Sequence, residues 1–599
     1  MVLAPAAAAA ATLLAIALLC AGGYLTAVAL LGAERCRRDP LALAIAALVG
    51  ATAQGLLIAL VLGMSGTLRF LLALSIQALL VGLLLRARRR RATPEAPEGG
   101  AGPSPVRVLG QRTADRLREH PLLALLALHA LGSEALRGLL RPPLSWDSLM
   151  YHLLLTATWL QDHALSVVYG AYPTNYYGYA PANGSLWLWW WMAPSHSELY
   201  VNCAFLPHWL LLGLATGGVA RELGARRSWP LAAYLVLLCP TVVRFAATEY
   251  VDILLGAMLV AATFFGLVWL RGGREAGEAS AEAAKAAASG ETTKTVAPGE
   301  AARVAAPGEM ARGAGPGRDG EARPGRDGEA RPGRDGEARP GVAGAGAPRL
   351  ADALYAGMAA GIAAGSKLIG PPFAVVLAAG LLLAVRGSWG ARLRQAFVAA
   401  LVAGLLGGYF YLRNMAEGAG PLAMACVPAS GGSGEHRFFP NPLSALGTLG
   451  PLVARGTLVD TFLGTSIPAS IELGIGPQGI LLLPALLLPL LVPARLRRPA
   501  FVVWMQIVAQ LAFWFAVPQA TGGLVFANVR YLIAAIGLAF AGLLAACEQR
   551  GIWERSERAV VGLAAALLVQ DLLMLHAEMP REVRLAMAAA DLAGALVLF

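Results

Sequence analysis

The chain has 599 residues, of which 57% are hydrophobic and only 14% charged, with a formal net charge of +11 and a mean hydropathy of +0.60. A soluble chain of this length would carry far more surface charge, so a soluble globular protein is excluded. The basic excess is not a nucleic-acid signature either. It is divided into short clusters between apolar runs: Arg35, Arg37 and Arg38; Arg86 to Arg91; Arg221, Arg226 and Arg227; Arg392 and Arg394; Arg495, Arg497 and Arg498; Arg550, Arg555 and Arg558. Such clusters mark cytoplasmic loops.

Crossing lipid takes about 20 apolar residues in a helix, because only internally hydrogen-bonded segments are stable in hydrocarbon. In chain order the candidate spans are 3–31, 41–63, 67–85, 120–140, 199–220, 229–246, 252–270, 351–366, 370–385, 395–412, 478–493, 500–516, 530–546 and 558–576. The expected fold is all-α, a polytopic membrane bundle of about 13 to 14 transmembrane helices with long loops on its outer face. Segments 351–366 and 370–385 also read as a broken pair. With every Arg cluster inside, both termini lie outside and the loop carrying Asp147 faces the exterior. The first apolar run lacks a preceding basic segment and is followed by arginines, which predicts a retained helix.

Five parts follow. Residues 1–85 hold three extra N-terminal transmembrane helices, and 86–118 form a basic cytoplasmic linker. Residues 119–270 are the first part of the membrane core and include the long outer loop 141–198. Residues 271–350 are poor in large apolar side chains and contain three copies of Pro-Gly-Arg-Asp-Gly-Glu-Ala-Arg, starting at Pro316, Pro324 and Pro332. This stretch cannot bury a core and is expected to be a disordered cytoplasmic loop. Residues 351–599 complete the core and include the outer loop 413–477.

The loop 141–198 is rich in Tyr169, Tyr172, Tyr176, Tyr177 and Tyr179, then in Trp187, Trp189, Trp190 and Trp191. The Trp run is expected to anchor at the membrane interface, where indole prefers to sit. The tyrosines could line a sugar or lipid site or simply pack. The scattered cysteines show no metal-ligand spacing and read as packing residues.

Isolated charges fall at the outer ends of separate helices, against the basic-inside trend. Asp147 and His152 lie in Trp146-Asp147-Ser148-Leu149-Met150-Tyr151-His152. Arg244 ends one span, and Glu249 and Asp252 open the next. Lys367 follows Gly365-Ser366, Arg413 follows Tyr411-Leu412, and Arg530 follows Asn528-Val529. Snorkelling explains any one of these, but it does not require that all share a side. Titratable groups at the mouth of a transmembrane bundle read as functional by default. Carboxylates can take a proton from a hydroxyl or hold a divalent metal ion, and lysine and arginine bind phosphate. A reaction needing both is attack of an acceptor on a sugar carried by a lipid phosphate, with a carboxylate as general base and cations stabilising the departing phosphate.

Several segments resemble the GT-C glycosyltransferases, the superfamily that includes protein O-mannosyltransferases and bacterial aminoarabinose transferase. Trp146-Asp147-Ser148-x-x-Tyr151-His152-Leu153 resembles their acidic first-loop motif, and Thr248-Glu249-Tyr250-x-Asp252 their second acidic loop. Gly361 to Lys367 resembles a Gly-rich Lys segment. Tyr411-Leu412-Arg413-Asn414 with Gly420-Pro421-Leu422 is similar to a bacterial stretch that usually has Asn where Ala419 stands. Arg530-Tyr531-Leu532 resembles a late Arg motif. The resemblance covers about 120–546 and implies a GT-C-like bundle in a bacterial inner membrane. It implies a polyprenyl-phosphate sugar donor and inversion at the anomeric carbon. By it Asp147 is the catalytic base, and Glu249 and Asp252 bind a metal or position the acceptor. Lys367, Arg413 and Arg530, with Arg244, bind the donor phosphate. Tyr151 and His152 are acceptor or metal candidates, with a satisfied interfacial histidine the favoured reading of His152. The acceptor, whether lipid, glycan or protein, is not specified, and no nucleic acid is implied.

Three rivals remain at this level. A transporter or flippase of lipid-linked or anionic substrates would place its charges near the midplane, between internal repeats. A lipid-linked glycan ligase or polymerase also uses outer-face arginines. A metal-dependent hydrolase would need ligand spacing of the HExxH kind, which does not occur.

Overall fold

The structure, a computed structural model, describes residues 5–91, 107, 110–111, 121–143, 145, 147–168, 176–288, 350–384, 389–422, 481–520, 526–555 and 557–562, with isolated positions at 582, 585 and 589. Among them every regular element is helical. The protein is an all-α polytopic membrane protein. Among the described residues six helices are long and apolar enough to cross a membrane, or seven if the bent pair Leu393–Gly407 and Tyr409–Ala416 is one span.

The chain opens with α1 (Pro5–Leu31), the short α2 (Ala33–Arg38), α3 (Pro40–Met64) and α4 (Phe70–Arg91). Asp39 caps α3 by accepting from the Ala42 amide, with Pro40 in the first turn where no amide donor is needed. A polar ladder ties the three long helices together inside the apolar layer. Gln77 Nε2 donates to Gln54 Oε1 (3.0 Å), and Gln54 Nε2 donates to Thr26 Oγ1 (2.8 Å). In lipid such bonds hold helices that apolar packing alone would not orient.

Next come α5 (Pro121–Leu140), a single π-helical turn (Ser148–His152), α6 (Leu153–Asp162), α7 (Asn183–Met192), α8 (Leu206–Glu222), α9 (Trp229–Leu237), α10 (Pro240–Ala246) and α11 (Asp252–Ala288). The second part contains α12 (Leu350–Ser366), α13 (Gly370–Ala384), α14 (Trp389–Gly407), α15 (Tyr409–Ala416), α16 (Leu482–Ala485), α17 (Leu488–Leu491), α18 (Arg497–Ala520) and α19 (Ile533–Gln549). The Asp252–Gly272 window of α11 is 94% buried and that of α4 only 17%. The first is therefore central, and the second presents its apolar face to lipid.

Helix direction separates two ends of the bundle. At one end Arg221 at the close of α8 pairs with Asp39 at the start of α3 (2.6 Å), Arg35 with Asp352 (2.6 Å) and Arg271 with Glu222 (2.8 Å). The Glu548 carboxylate accepts from the amides of Arg226, Arg227 and Ser228. This is the end that carries the Arg clusters. At the other end the α3–α4 connection meets the segment after α6, with the Leu165 amide donating to the Gly63 carbonyl (3.1 Å).

The structure departs from the expected spans where the sequence holds prolines and glycines. The span 229–246 is two helices parted at Cys239-Pro240, because proline cannot continue the α-helical ladder. Segments 351–366 and 370–385, by contrast, are helices at the expected places, with Lys367 in the break between them. The span 395–412 bends by 60° at Gly408. The span 478–493 becomes two four-residue helices amid Pro484, Pro489 and Pro493. Most of 558–576 lies outside the described residues.

Two further expectations are corrected. The Trp run is core, not an interfacial anchor: Trp189 and Trp190 are 0% exposed and every residue of α7 is buried. The indoles of Trp187 and Trp190 donate to the carbonyls of Ala204 (2.7 Å) and Gly55 (3.0 Å), which removes the reason for them to seek the headgroup layer. The region after residue 270 does not begin as a loop, for α11 continues to Ala288. Its Ala, Glu and Lys content explains this, since these are the strongest helix formers. The repeats at Pro316, Pro324 and Pro332 and the loop 423–477 lie outside the described residues.

Candidate functional site

The helix ends opposite the Arg clusters bring four charges together. Asp147 comes from the start of the π turn, Asp252 from the first residue of α11, Lys367 from the α12–α13 break, and Arg530 from the 3₁₀ turn Phe526–Leu532 that leads into α19. Lys367 Nζ donates to both oxygens of Asp252, each at 2.9 Å, and lies 3.8 Å from Asp147 Oδ2. Arg530 Nη2 is 2.9 Å from the same Asp147 oxygen, and its Nε is 3.8 Å from Asp252 Oδ2. Two acids and two bases thus form one alternating cluster. All are buried or nearly so, with Asp252 1% and Lys367 8% exposed.

Aromatic rings line the cations. Arg530 lies 4.6 Å from the centre of the Tyr250 ring, and Lys367 4.9 Å from that of Tyr531. Such faces stabilise a cation without neutralising it. Both tyrosines adjoin charged motif residues in sequence, which is the one signal that could have marked them.

The π turn decides what else faces the cluster. Its wider winding turns Ser148, Tyr151 and His152 inward together, and all three are buried; π turns of this kind recur at functional sites. Ser148 Oγ donates to Glu249 Oε2 at 2.6 Å. Glu249 is 0% exposed and its Oε1 has no hydrogen-bond partner among the described residues. Burial pushes the Glu249 carboxyl above its usual range, with the Ser148 hydroxyl acting the other way. His152 Nδ1 pairs with Ser185 Oγ (3.0 Å), and its Nε2 has no partner among the described residues. Burial holds the His152 imidazole well below its usual value, and the Lys367 charge adds to the effect, so the ring is neutral. Burial, aided by Asp147, pushes the Tyr151 phenol well above its usual range. Ser185 had no signal in the sequence, because a serine on an apolar segment reads as packing.

Of the expected site residues, Asp147, Asp252, Lys367 and Arg530 meet directly, and Glu249, Tyr151 and His152 adjoin them. Arg413 is set on a neighbouring turn, where its Nη2 donates to the Gly178 carbonyl (2.6 Å). Arg244 meets Arg137 through its backbone carbonyl (2.9 Å). Trp146 lies outside the described residues.

Among the described residues no three His, Cys, Asp or Glu side chains gather as ligands, and each clustered carboxylate already holds a cationic side chain.

Comparison of the chain with family models, with curated proteins and with solved structures gives no match in any of the three.

Proposed function

We propose that this protein is an integral-membrane glycosyltransferase of the bacterial inner membrane. It moves a sugar from a polyprenyl-phosphate donor to an acceptor at the periplasmic face. The observation that carries the reading is the buried cluster of Asp147, Asp252, Lys367 and Arg530, gathered from four distant segments at the helix ends away from the Arg clusters.

The cluster contains both halves of the required chemistry. Lys367 and Arg530 are drawn to the donor phosphate by charge-assisted hydrogen bonds. As Arg530 turns to the phosphate, it leaves Asp147 Oδ2, and the carboxylate becomes a base only once the donor is in place. Asp147 then takes the proton of the acceptor hydroxyl as its oxygen bonds to the anomeric carbon. The bond from that carbon to the phosphate oxygen breaks, and its electron pair leaves with polyprenyl phosphate. The cations stabilise the charge that grows there. A single displacement inverts the anomeric centre, and the proton on Asp147 passes to water. Asp252 grips Lys367 with both oxygens and keeps its ammonium at the site; Glu249 holds Ser148 and with it the π turn.

The test is purified protein in lipid nanodiscs, offered a panel of polyprenyl-phosphate sugars together with membrane lipids, glycans and proteins as acceptors. One donor is expected to lose its sugar, giving a product of inverted configuration, and Asp147→Asn is expected to stop this while the protein remains folded. No consumption of any donor, or normal consumption by Asp147→Asn, overturns the proposal.

A further inference from the structure

The turn Tyr176–Tyr179 has no part in the steps above, yet it is gripped from two sides. Arg413 Nη2 donates to the Gly178 carbonyl at 2.6 Å, and Asn414 Nδ2 donates to the Tyr179 carbonyl at 2.8 Å. Arg413 Nη2 also reaches Asn414 Oδ1 at 3.1 Å, which fixes the two side chains relative to each other. Two adjacent residues thus hold two consecutive carbonyls, and Arg413 and Asn414 are both buried (8% and 1% exposed). On the far side Gly178 lies against the Val168 carbonyl oxygen so closely that an added Cβ would collide with it.

Tyr177 rides on this turn. Its ring stacks on Tyr151 with centroids 4.8 Å apart and planes 7° from parallel. Tyr151 in turn lies 4.0 Å from the His152 ring, one turn of chain from Asp147. The 60° bend at Gly408 makes the grip possible. It aims α15 away from the axis of α14, with the Arg413 guanidinium 5.1 Å from the centre of the Phe410 ring. A guanidinium serving a phosphate would offer its fork to the ligand. Here an Nη2 is already committed to a backbone carbonyl.

We infer that Arg413 and Asn414 are positioning residues and not phosphate ligands: they latch the Tyr176–Tyr179 turn so that Tyr177 stacks on Tyr151 and builds an aromatic wall beside the base. The wall adjoins Asp147, so it bears on the acceptor. That last step rests on the glycosyl-transfer reading, whereas the latch itself does not.

The experiment uses the full chain in nanodiscs, with Arg413→Ala, Asn414→Ala and Gly178→Ala. Gly178→Ala disturbs the turn without touching either latch side chain. Amide hydrogen exchange at Tyr177 to Ala180 is expected to quicken in all three, with α12 and α14 unchanged, and Arg413→Lys should restore part of the protection. Unaltered exchange in the Arg413 and Asn414 variants overturns the latch. In transfer assays the acceptor KM is expected to rise about tenfold while the donor KM stays within about twofold. A rise confined to the donor KM assigns Arg413 to the phosphate and also overturns the inference. If Arg413→Ala fails to reach the membrane, Asn414→Ala and Gly178→Ala decide the matter by the same measurements. If the wild-type protein transfers no sugar, exchange still decides the latch, and the enzymatic reading falls separately.

Discussion

At the end of the bundle that bears the Arg clusters, Arg221 holds Asp39 with two parallel bonds (2.7 and 2.6 Å), and Arg35 holds Asp352 in the same way (3.1 and 2.6 Å). At the opposite end, Asp147 and Asp252 share Lys367 and Arg530, with contacts from 2.9 to 3.8 Å. The residue types are the same, but the valence differs. Each forked pair at the basic end fastens two helix ends by two short parallel bonds, with Arg221 adding a longer contact to Glu222 (3.5 Å). The opposite cluster leaves its members loosely shared, and around it Glu249 Oε1 and His152 Nε2 have no partner among the described residues. Forked pairs hold a fold together, whereas a desolvated set in which each acid faces both cations can exchange partners with a charged ligand.

Substitutions at the two ends should therefore separate transfer from stability. The largest effect is expected for Asp147→Asn, which keeps shape and removes the proposed base: transfer should fall by about a hundred- to ten-thousandfold, measured as donor consumption. Lys367→Ala or Arg530→Ala comes next. Losing one charge-assisted bond costs about 1.5–3 kcal/mol, so the donor KM should rise about ten- to a hundredfold, and an unchanged donor KM would detach that residue from the phosphate.

Asp39→Asn at the basic end should do the converse. Arg221 loses the nearer of its two charged partners and keeps only Glu222 at 3.5 Å, and the thermal midpoint should drop by an amount corresponding to about 1–3 kcal/mol, with the donor KM unmoved. Parallel losses of transfer and stability at both ends would erase the contrast drawn here.

The smallest expected effect concerns acidity. His152 is held neutral, so its folded value lies below that of the unfolded chain, which is about 6.5. As pH falls below that value the unfolded chain takes up a proton that the folded protein refuses, and stability declines. His152→Gln should flatten this slope in thermal midpoints recorded from pH 7 down to 5. A slope equal to that of the wild type would remove His152 as its source.

Much of this was legible in the sequence. Apolar runs and Arg clusters place the charges, because desolvation forbids stray charge in lipid and the basic residues fix the side; hence Asp147, Asp252, Lys367 and Arg530 could be grouped before any geometry was known, but only within a larger set that also held Glu249, Arg244 and Arg413. Their pairing could not be, since which acid meets which base depends on the offsets of four helix ends. The span 229–246 reads as continuous because hydropathy is blind to the break at Pro240. The tryptophans of α7 read as interfacial because composition does not distinguish an indole bonded to a buried carbonyl from one at a headgroup. The role of Arg413 was hidden by the bend at Gly408, which no periodicity announces.

Lys367 lies just past a seam in which α12 and α14 touch backbone to backbone. A Cβ added at Gly361 would lie 2.6 Å from both the Cα and the carbonyl oxygen of Ala403. With no side chains there to absorb an error, the depth of the ammonium is inherited from the spacing of two bare ribbons. Attempts to re-engineer the cluster would do well to leave that stretch alone, for a single methyl group six residues away would tilt the rod on which the cation is mounted.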